Sequence, residues 1–227
     1  MQRVIDRVHM SEITICYGMT ETTTVSAQSS TSDSVEQRVG TVGRVHPHLE
    51  IKIVDEQGKV VPRGQLGELC VRGYSVMLGY WEDHEKSGEV IDSARWMHTG
   101  DIAEMDEAGF VKIKGRIKDV VIRGGENLFP KEIEDFLYTH PDVSDVQVIG
   151  LPDARYGEEL CACIILHEHH EITEESIRQY CAEHISHNKV PRYVRFFNEF
   201  PMTASGKAQK FKLQEFMHNE LDLKEIA

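Results

Sequence analysis

The chain has 227 residues, of which 40% are hydrophobic and 28% charged, an ordinary balance for a globular protein with a buried core. Its formal net charge of −13 argues against the broad basic face that nucleic acid or an anionic membrane requires. No apolar run reaches the about eighteen residues of a transmembrane helix, and the spacing of the five cysteines is not typical of a disulfide framework. We therefore expect a cytoplasmic protein with reduced thiols, no nucleic-acid partner and no transmembrane segment.

The first half of the chain is dominated by short strand patterns separated by turns. Residues 1–10 have the apolar spacing of a helix, and a short apolar strand, Ile13–Cys16, ends at a glycine turn. A helix is expected at His84–Ile91. The strands predicted to form a small antiparallel barrel or sheet are Leu49–Val54, Leu66–Arg72 and the hairpin Ile102–Asp106 with Phe110–Gly115.

Past Arg116 the pattern changes to alternating strands and helices, which predicts a compact α+β domain. The boundary is placed at Ile117/Lys118, which gives domains of 1–117 and 118–227. Thr173 is the expected N-cap of the second helix. The predicted elements are strands at Val120–Ile122, Val143–Gly150, Leu160–His167 and Tyr193–Phe197, and helices at Pro130–Tyr138, Glu174–Ile185 and Ala208–Leu221.

Two clusters invite a redox or metal interpretation, and each has a simpler one. Cys161 and Cys163 share one face of a predicted strand, where buried free thiols usually pack in a core. His167, His169 and His170 lie between a strand and a helix and lack further ligands at the spacing of a zinc site. We expect core packing for the cysteines and no metal at the histidines.

Three blocks carry residue types suited to nucleotide chemistry: ICYGMTE at 15–21, the stretch Trp96–Pro130, and PMTASGKAQK at 201–210. In this order they resemble the adenylate-forming (AMP-binding) enzymes, which include acyl-CoA synthetases, firefly luciferase and the adenylation domains of peptide synthetases. The likeness is greatest to medium- and long-chain fatty-acyl-CoA synthetases. One small departure is Cys16, where the family often has glycine.

The resemblance implies roles for four residues of the first block. Tyr17 would stack on adenine, Gly18 would let the backbone approach the nucleotide, and Thr20 would bind a phosphate oxygen. Glu21 would hold Mg²⁺, which prefers hard carboxylate oxygens. Without the other blocks, the same residues would describe an ordinary strand-to-loop turn.

The middle block carries one acidic and two basic residues to which the resemblance assigns roles. Asp101, expected just before the first hairpin strand, would accept hydrogen bonds from the ribose hydroxyls, and Arg116 would contact ribose or phosphate oxygens. The alternatives are a turn-capping aspartate and a solvated strand-end charge. Lys118 occupies the family's hinge position.

Two loops complete the site that the resemblance implies. Gly124, Gly125 and Glu126 match the segment that guides the pantetheine arm of coenzyme A, with a flexible connector as the alternative. Lys207, after Ser205-Gly206, matches the lysine that binds ATP and catalyses adenylation, with an exposed loop lysine as the alternative.

The resemblance therefore predicts the C-terminal part of a fatty acid–CoA ligase that uses ATP, Mg²⁺ and coenzyme A and, as a fragment, is inactive alone. Residues 1–117 would end the large AMP-binding domain, and 118–227 would form its lid. Two alternatives remain open: a non-catalytic nucleotide-binding module, and a ligase that delivers the acyl group to a carrier protein. A second copy of the chain is a further candidate partner, and the acyl-chain length cannot be read from the sequence.

Overall fold

A computed structural model describes residues 2–170, 172–204 and 206–221 of the chain. The chain divides into two compact units, Met1–Ile117 and Lys118–Ala227, and each is considered by itself below. Among the described residues, no helix combines the length and the apolar character needed to cross a membrane.

The first unit is built around an open antiparallel sheet. Its strands follow the order β4-β5-β6-β7, and a small three-stranded sheet has the order β1-β2-β3. Of the two predicted forms, a barrel or a sheet, the described residues form the sheet. The elements of this unit are α1 (Gln2–Val8), β1 (Cys16–Tyr17), β2 (Ala27–Gln28), α2 (Val35–Gly40), β3 (Arg44–Val45), β4 (Leu49–Val54), β5 (Gly67–Gly73), α3 (His84–Val90), β6 (Met97–Met105) and β7 (Val111–Arg116).

Strand β6 organises the core of this unit because its side chains alternate between a buried and a half-buried face. Ala103 and Met105 lie on the buried face, where they pack with Leu69 of β5 and Val111 of β7. At the β6–β7 turn, Asp106 Oδ1 accepts a hydrogen bond from the Phe110 amide at 2.8 Å. The predicted hairpin is confirmed.

The structure corrects the predicted start of this hairpin. Strand β6 begins at Met97 rather than Ile102, because the residues that precede the predicted strand pair with β5. Asp101 therefore lies inside the strand, directly opposite Arg116 of β7, and not in front of it. Gly100 adopts a left-handed φ of 70° in the middle of this segment, which hides the strand from a simple alternation pattern.

The second unit is a mixed sheet with helices on both faces, which confirms the α+β prediction. Its strand order is β10-β11-β8-β9, and β12 pairs in parallel with β11. Thr173 caps α5, as predicted, since its Oγ1 accepts from the Ser176 amide at 3.1 Å. The elements are β8 (Val121–Arg123), β9 (Glu126–Leu128), α4 (Pro130–Leu137), β10 (Val143–Asp153), β11 (Gly157–Leu166), α5 (Glu174–His184), β12 (Tyr193–Phe196) and α6 (Lys210–Glu220).

Strand β11 lies at the centre of this unit and is buried on both faces. Leu160, Ala162 and Ile164 face a cluster that includes residues of α4 and α5, whereas Cys161 and Cys163 face one that includes residues of α6. A hydrogen bond with Cys163, together with burial, raises the pKa of Cys161 and keeps that thiol protonated. The predicted core role of these two cysteines is confirmed, and all five cysteines are free.

The histidine run after β11 has a local partner that the sequence does not reveal. His170 Nδ1 lies 2.5 Å from Asp142 Oδ1, and the His167 amide donates to the Asp142 carbonyl at 3.0 Å. These contacts fasten the end of β11 to the loop before β10. Among the described residues, the three histidines belong to no cluster with metal-ligand geometry.

A buried ion pair gives the first testable prediction, on the stability of the second unit. Arg123 Nε lies 2.8 Å from Glu159 Oε2, and the Glu159 side chain is 1% exposed. The Glu159→Ala variant removes the counter-ion of the guanidinium and leaves it a hydrogen bond to the Asn188 carbonyl, so we expect a loss of about 3–5 kcal/mol in the free energy of unfolding. Hydrogen exchange of the β11 amides measures it.

The matched control removes an ion pair on the surface of the same unit. Lys131 Nζ lies 2.9 Å from Asp135 Oδ1, and both side chains are about half exposed. The Asp135→Asn variant is expected to change the unfolding free energy by no more than about 1 kcal/mol. Equal effects of the two substitutions would contradict the role given to Glu159.

Candidate functional site

The first unit brings three of the predicted site residues into contact around one carboxylate. Tyr17 of β1 donates its hydroxyl to Asp101 Oδ2 at 2.5 Å, and Arg116 Nε lies 3.2 Å from Asp101 Oδ1. The pairing of β6 with β7 places the arginine, because Asp101 and Arg116 are register partners. The Asp101 side chain is 10% exposed, and its oxygens keep acceptor positions beyond these two contacts.

The surroundings of Asp101 keep it in place and keep its neighbour protonated. The Asp101 amide donates to Thr99 Oγ1 at 3.1 Å, and the Thr99 hydroxyl donates to the Leu69 carbonyl at 2.7 Å. Burial, followed by the negative charge of Asp101, raises the pKa of Tyr17. The phenol therefore remains a hydrogen-bond donor to the carboxylate at neutral pH.

Gly18 and Thr20 lie in the loop that follows β1. A Cβ atom on Gly18 would lie 1.9 Å from the Thr24 carbonyl oxygen, so the loop itself requires glycine here, independently of any nucleotide. Thr20 is exposed at the first position of a short 3-10 turn, Thr20–Thr22. A phosphate oxygen can reach a hydroxyl in that position.

Glu21, the residue assigned to Mg²⁺, is held from two sides. Its Oε1 accepts a hydrogen bond from the Tyr80 hydroxyl at 2.9 Å, and its carbonyl accepts from the Met77 amide at 2.8 Å. Burial and this hydrogen bond raise the pKa of Tyr80, which keeps the phenol a donor. The carboxylate fits Mg²⁺, because that ion is usually bound by one or two carboxylates together with substrate phosphates.

The close contact at Gly18 gives a second testable prediction. The Gly18→Ala variant must displace the Thr24 carbonyl, and we expect the first unit to lose about 1–3 kcal/mol in the free energy of unfolding. Tryptophan fluorescence during urea unfolding reports on this unit, because Trp81 and Trp96, the two tryptophans of the chain, both belong to it.

The matched control is Gly40→Ala, at the end of α2, where an added Cβ meets nothing within 4 Å. We expect it to leave the urea midpoint nearly unchanged. If both glycine variants unfolded at the wild-type midpoint, the steric reason given for Gly18 would be wrong.

Lys207 lies on a hairpin-like loop of the second unit that is closed by its own backbone. An isolated bridge joins Met202 to Ala208, and the Thr203 amide donates to the Lys207 carbonyl at 2.8 Å. The Lys207 amide in turn donates to Thr203 Oγ1 at 3.0 Å, and Lys207 itself is exposed. Ser205, part of the predicted motif, lies outside the described residues.

Lys210 fixes the base of this loop, a role that the sequence analysis did not assign to it. Its ammonium donates to Glu134 Oε1 at 2.6 Å and to the Val148 carbonyl at 3.0 Å. These bonds tie the first residue of α6 to α4 and β10. A signal was present, because Lys210 shares the helical spacing of Leu213 and Met217, which are buried.

The glycine segment assigned to coenzyme A is a tight turn and not a flexible connector. Gly124 and Gly125 have φ angles of 60° and 85° and link β8 to β9, a strand the sequence did not predict. Glu126 Oε2 accepts from Asn188 Nδ2 at 2.5 Å. Lys118 lies in a short 3-10 turn, Ile117–Asp119. Two consecutive positive φ values are the geometry of a two-residue hairpin, which explains the pair of glycines.

Comparisons with known proteins agree with this arrangement. Residues 1–81 match the family model described as AMP-binding enzyme, and residues 132–207 match the AMP-binding enzyme C-terminal domain. The chain is 50% identical over 224 residues to the mitochondrial medium-chain acyl-CoA ligase ACSF2 of Bos taurus, covering 98% of this chain and 36% of that protein. It is also 50% identical over 216 residues to the putative acyl-CoA synthetase YngI of Bacillus subtilis, covering 95% of this chain and 39% of that protein.

Solved structures show the same relationship. ATP-bound MatB from Rhodopseudomonas palustris superposes with a TM-score of 0.84 at 34% identity, covering 92% of this chain and 41% of MatB. The o-succinylbenzoate CoA synthetase MenE of Bacillus subtilis, in complex with its acyl-adenylate intermediate, gives a TM-score of 0.85 at 29% identity over 94% of this chain and 43% of MenE.

The two matched models describe one class of protein, the AMP-binding enzymes and their C-terminal domain. The chain belongs to the AMP-binding enzyme family. It spans a little over a third of the length of the curated relatives it matches.

Proposed function

We propose that this chain is the C-terminal part of a fatty acid–CoA ligase that activates a carboxylic acid with ATP and transfers the acyl group to coenzyme A. The observation that carries the proposal is the Asp101 carboxylate, held between Tyr17 and Arg116 in a chain that also presents Lys207 on an exposed loop. In this proposal residues 1–117 end the AMP-binding domain, and residues 118–227 form its lid.

Nucleotide binding follows from the acceptors and donors around Asp101. The two ribose hydroxyls of ATP would each donate to the Asp101 carboxylate, and the Tyr17 ring offers a face to adenine. Arg116 neutralises the carboxylate and can contact ribose or phosphate oxygens. Thr20 and Glu21 follow in the next turn, where they would contact the phosphates. Mg²⁺ held by Glu21 would supply positive charge to the phosphate chain.

In the first half-reaction, a carboxylate oxygen of the acid attacks the α-phosphorus of ATP, and pyrophosphate leaves with the electron pair of the broken P–O bond. Negative charge grows on the oxygens around the α-phosphorus as the bond forms. Lys207 would place its ammonium against that charge, and such a fixed charge is worth most in the transition state. The Lys210–Glu134 contact holds the base of the loop that delivers it.

In the second half-reaction, the thiolate of coenzyme A attacks the acyl carbon of acyl-AMP, and AMP leaves. The lid would turn about Lys118, withdrawing Lys207 and presenting the turn at Gly124, Gly125 and Glu126 to the pantetheine arm. Hinges are short segments that absorb backbone rotation, and the 3-10 turn at Ile117–Asp119 lies at the boundary between the two units.

The names of the relatives guide the choice of the acid, the acyl acceptor and the cellular location. The cattle and bacterial relatives are named as acyl-CoA ligases or synthetases, which favours coenzyme A over a carrier protein as acceptor. We propose a fatty acid as substrate and leave its chain length to experiment. The cattle relative is named mitochondrial, so placement in the cytoplasm remains a prediction, as does assembly with a second copy.

Assays on a full-length protein that contains this chain test the proposal. We expect fatty-acid-dependent exchange of labelled pyrophosphate into ATP, and acyl-CoA formation once coenzyme A is added. A series of fatty acids identifies the chain length. The 227-residue chain by itself is expected to catalyse neither reaction. Nucleotide binding without exchange in the full-length protein would favour the non-catalytic module instead.

A further inference from the structure

A cluster of three potential metal ligands lies in the first unit, and the proposed ligase reaction does not use it. Glu68 and Cys70 belong to β5, and His98 belongs to β6 directly opposite Cys70. His98 Nδ1 lies 2.7 Å from Glu68 Oε2 and 3.6 Å from Cys70 Sγ. One ligand atom from each residue lies within 4.8 Å of the other two, and no other such group occurs among the described residues.

The backbone explains why these side chains meet. The β5–β6 pairing shifts register between Glu68 and Cys70, so both residues direct their side chains to the neighbourhood of His98. By strand alternation, His98 lies on the face of β6 opposite Met97 and Thr99, away from the core of the unit. The cluster is thus fixed by a sheet rather than by a mobile loop, as a preformed site requires.

The three donor atoms of this cluster, one sulfur, one nitrogen and one oxygen, are suited to a borderline-soft cation. A thiolate sulfur, an imidazole nitrogen and a carboxylate oxygen are the three ligand types of zinc sites, whereas Mg²⁺ and Ca²⁺ prefer oxygen alone. We propose that Glu68, Cys70 and His98 form a Zn²⁺-class site with three protein ligands and one position open to water. Cys70 is fully buried, but the side chains of His98 and Glu68 are 29% and 19% exposed, so water can reach the fourth position.

Two of the three ligand separations need little or no rearrangement, and the sulfur and the carboxylate oxygen lie within 4.8 Å of each other. Tetrahedral ligands about 2.0–2.3 Å from zinc lie about 3.3–3.7 Å apart. The sulfur–nitrogen separation of 3.6 Å already meets this requirement. The His98 Nδ1–Glu68 Oε2 separation of 2.7 Å would increase by about half an ångström as the ion takes the place of the direct hydrogen bond between the two atoms.

Neighbouring groups support the ligand geometry. Glu68 Oε1 accepts the Gly100 amide at 2.9 Å, which orients the carboxylate while its other oxygen faces His98. Such outer hydrogen bonds are a regular feature of metal sites. Lys52, the cross-strand partner of Cys70, is the nearby cation that opposes metal binding, and its ammonium lies over the Trp96 ring, 4.5 Å from the centroid.

Equilibrium dialysis of the 227-residue chain against Zn²⁺, followed by elemental analysis, tests the site. We expect one tightly held ion per chain, and with Co²⁺ as the probe, a thiolate-to-cobalt charge-transfer band together with the visible bands of a tetrahedral ion. Because losing an outer-shell partner already weakens metal binding by about 10–100-fold, Cys70→Ser and His98→Gln should each weaken it by at least that factor. The exposed Cys16→Ser variant is the matched thiol control and should bind as the wild type does.

Three results would contradict the proposed Zn²⁺ site. No ion retained after dialysis, a cobalt spectrum without the charge-transfer band, or an undiminished affinity in Cys70→Ser and His98→Gln would each overturn the site. Circular dichroism confirms folding, and the half-exposed His98→Gln keeps the test decisive if Cys70→Ser does not fold. The readout is binding rather than ligase activity, so it stands or fails independently of the proposed function.

Discussion

Replacing Lys207 with alanine in a full-length protein is expected to slow acyl-adenylate formation by about 100- to 1,000-fold, the usual cost of removing one preorganised group that stabilises transition-state charge. The same variant is expected to convert supplied acyl-AMP and coenzyme A to acyl-CoA at close to the wild-type rate. The reason is that, in the proposed mechanism, the lid withdraws Lys207 before the thiolate attacks, so this lysine does not meet the charge that develops on AMP as it leaves. Pyrophosphate exchange and single-turnover thioester formation measure the two steps separately.

The structure indicates that Lys207→Ala removes the ammonium group without disturbing the loop that carries it. Lys207 is exposed, and the bonds that shape its loop, between Thr203 and the Lys207 backbone, survive truncation of the side chain. Lys212→Ala is the matched control, since Lys212 is an exposed lysine of α6 with only a distant contact to the Phe211 ring, 5.9 Å from its centroid. That control should keep both half-reactions. Equal loss of both steps in Lys207→Ala would reject the division of labour between them.

Replacing Asp101 with alanine is the second change with a large expected effect. Two hydrogen bonds from ribose hydroxyls to a charged acceptor contribute about 1.5–3 kcal/mol each, so we expect ATP and acyl-AMP to bind at least about 100-fold more weakly. Calorimetry or competition with a fluorescent adenylate analogue measures the affinity. Both half-reactions should slow, in contrast to Lys207→Ala, because in the proposed mechanism the ribose stays bound to this carboxylate in both steps.

Two further variants separate nucleotide binding from simple loss of structure. Tyr17→Phe removes the 2.5 Å hydrogen bond to Asp101 but keeps a ring for adenine, so it should weaken nucleotide binding far less. Glu104→Gln, on the same strand, loses only a surface ion pair with Lys114 and should bind ATP normally. If Asp101→Ala bound ATP like the wild type, the ribose assignment would be wrong.

The parts of the fold that followed from the sequence are those with a strong local signal. Residues 160–166 of strand β11 form a continuous apolar run because the strand is buried on both faces there, and α5 has a threonine cap followed by acidic residues in its first turn. The β6–β7 hairpin has a turn with glycine and aspartate. These signals depend on neighbours in sequence, so the residue order alone reveals them.

The errors occurred where pairing between distant strands decides the structure. Asp101 was placed before β6 because Gly100 interrupts the alternation, yet pairing with β5 and β7 carries the strand through it. At Gly124 and Gly125 the flexible connector was only the alternative, and β9, a strand of three residues that makes the pair a hairpin turn, was not predicted. Two-residue turns and bulges are specified by the partner strand as much as by their own residues.

In the candidate site, too, features that depend on neighbouring residues were predicted and features that depend on distant residues were not. The residues that resemble family motifs were identified without the structure, but their contacts were not. One example is the hydrogen bond from Tyr17 to Asp101, which joins positions far apart in sequence. Lys210 was given no role because its partners, Glu134 and the Val148 carbonyl, lie far from it in sequence. The cluster of Glu68, Cys70 and His98 escaped notice because its members lie on different strands.

The measurement that tests the central claim most directly is a crystal structure of the full-length protein with a non-hydrolysable acyl-adenylate analogue. The account predicts both ribose hydroxyls within about 3.2 Å of the Asp101 carboxylate, the usual hydrogen-bond range, with the adenine against Tyr17. An analogue bound elsewhere, with Asp101 still contacting only Tyr17 and Arg116, would contradict it.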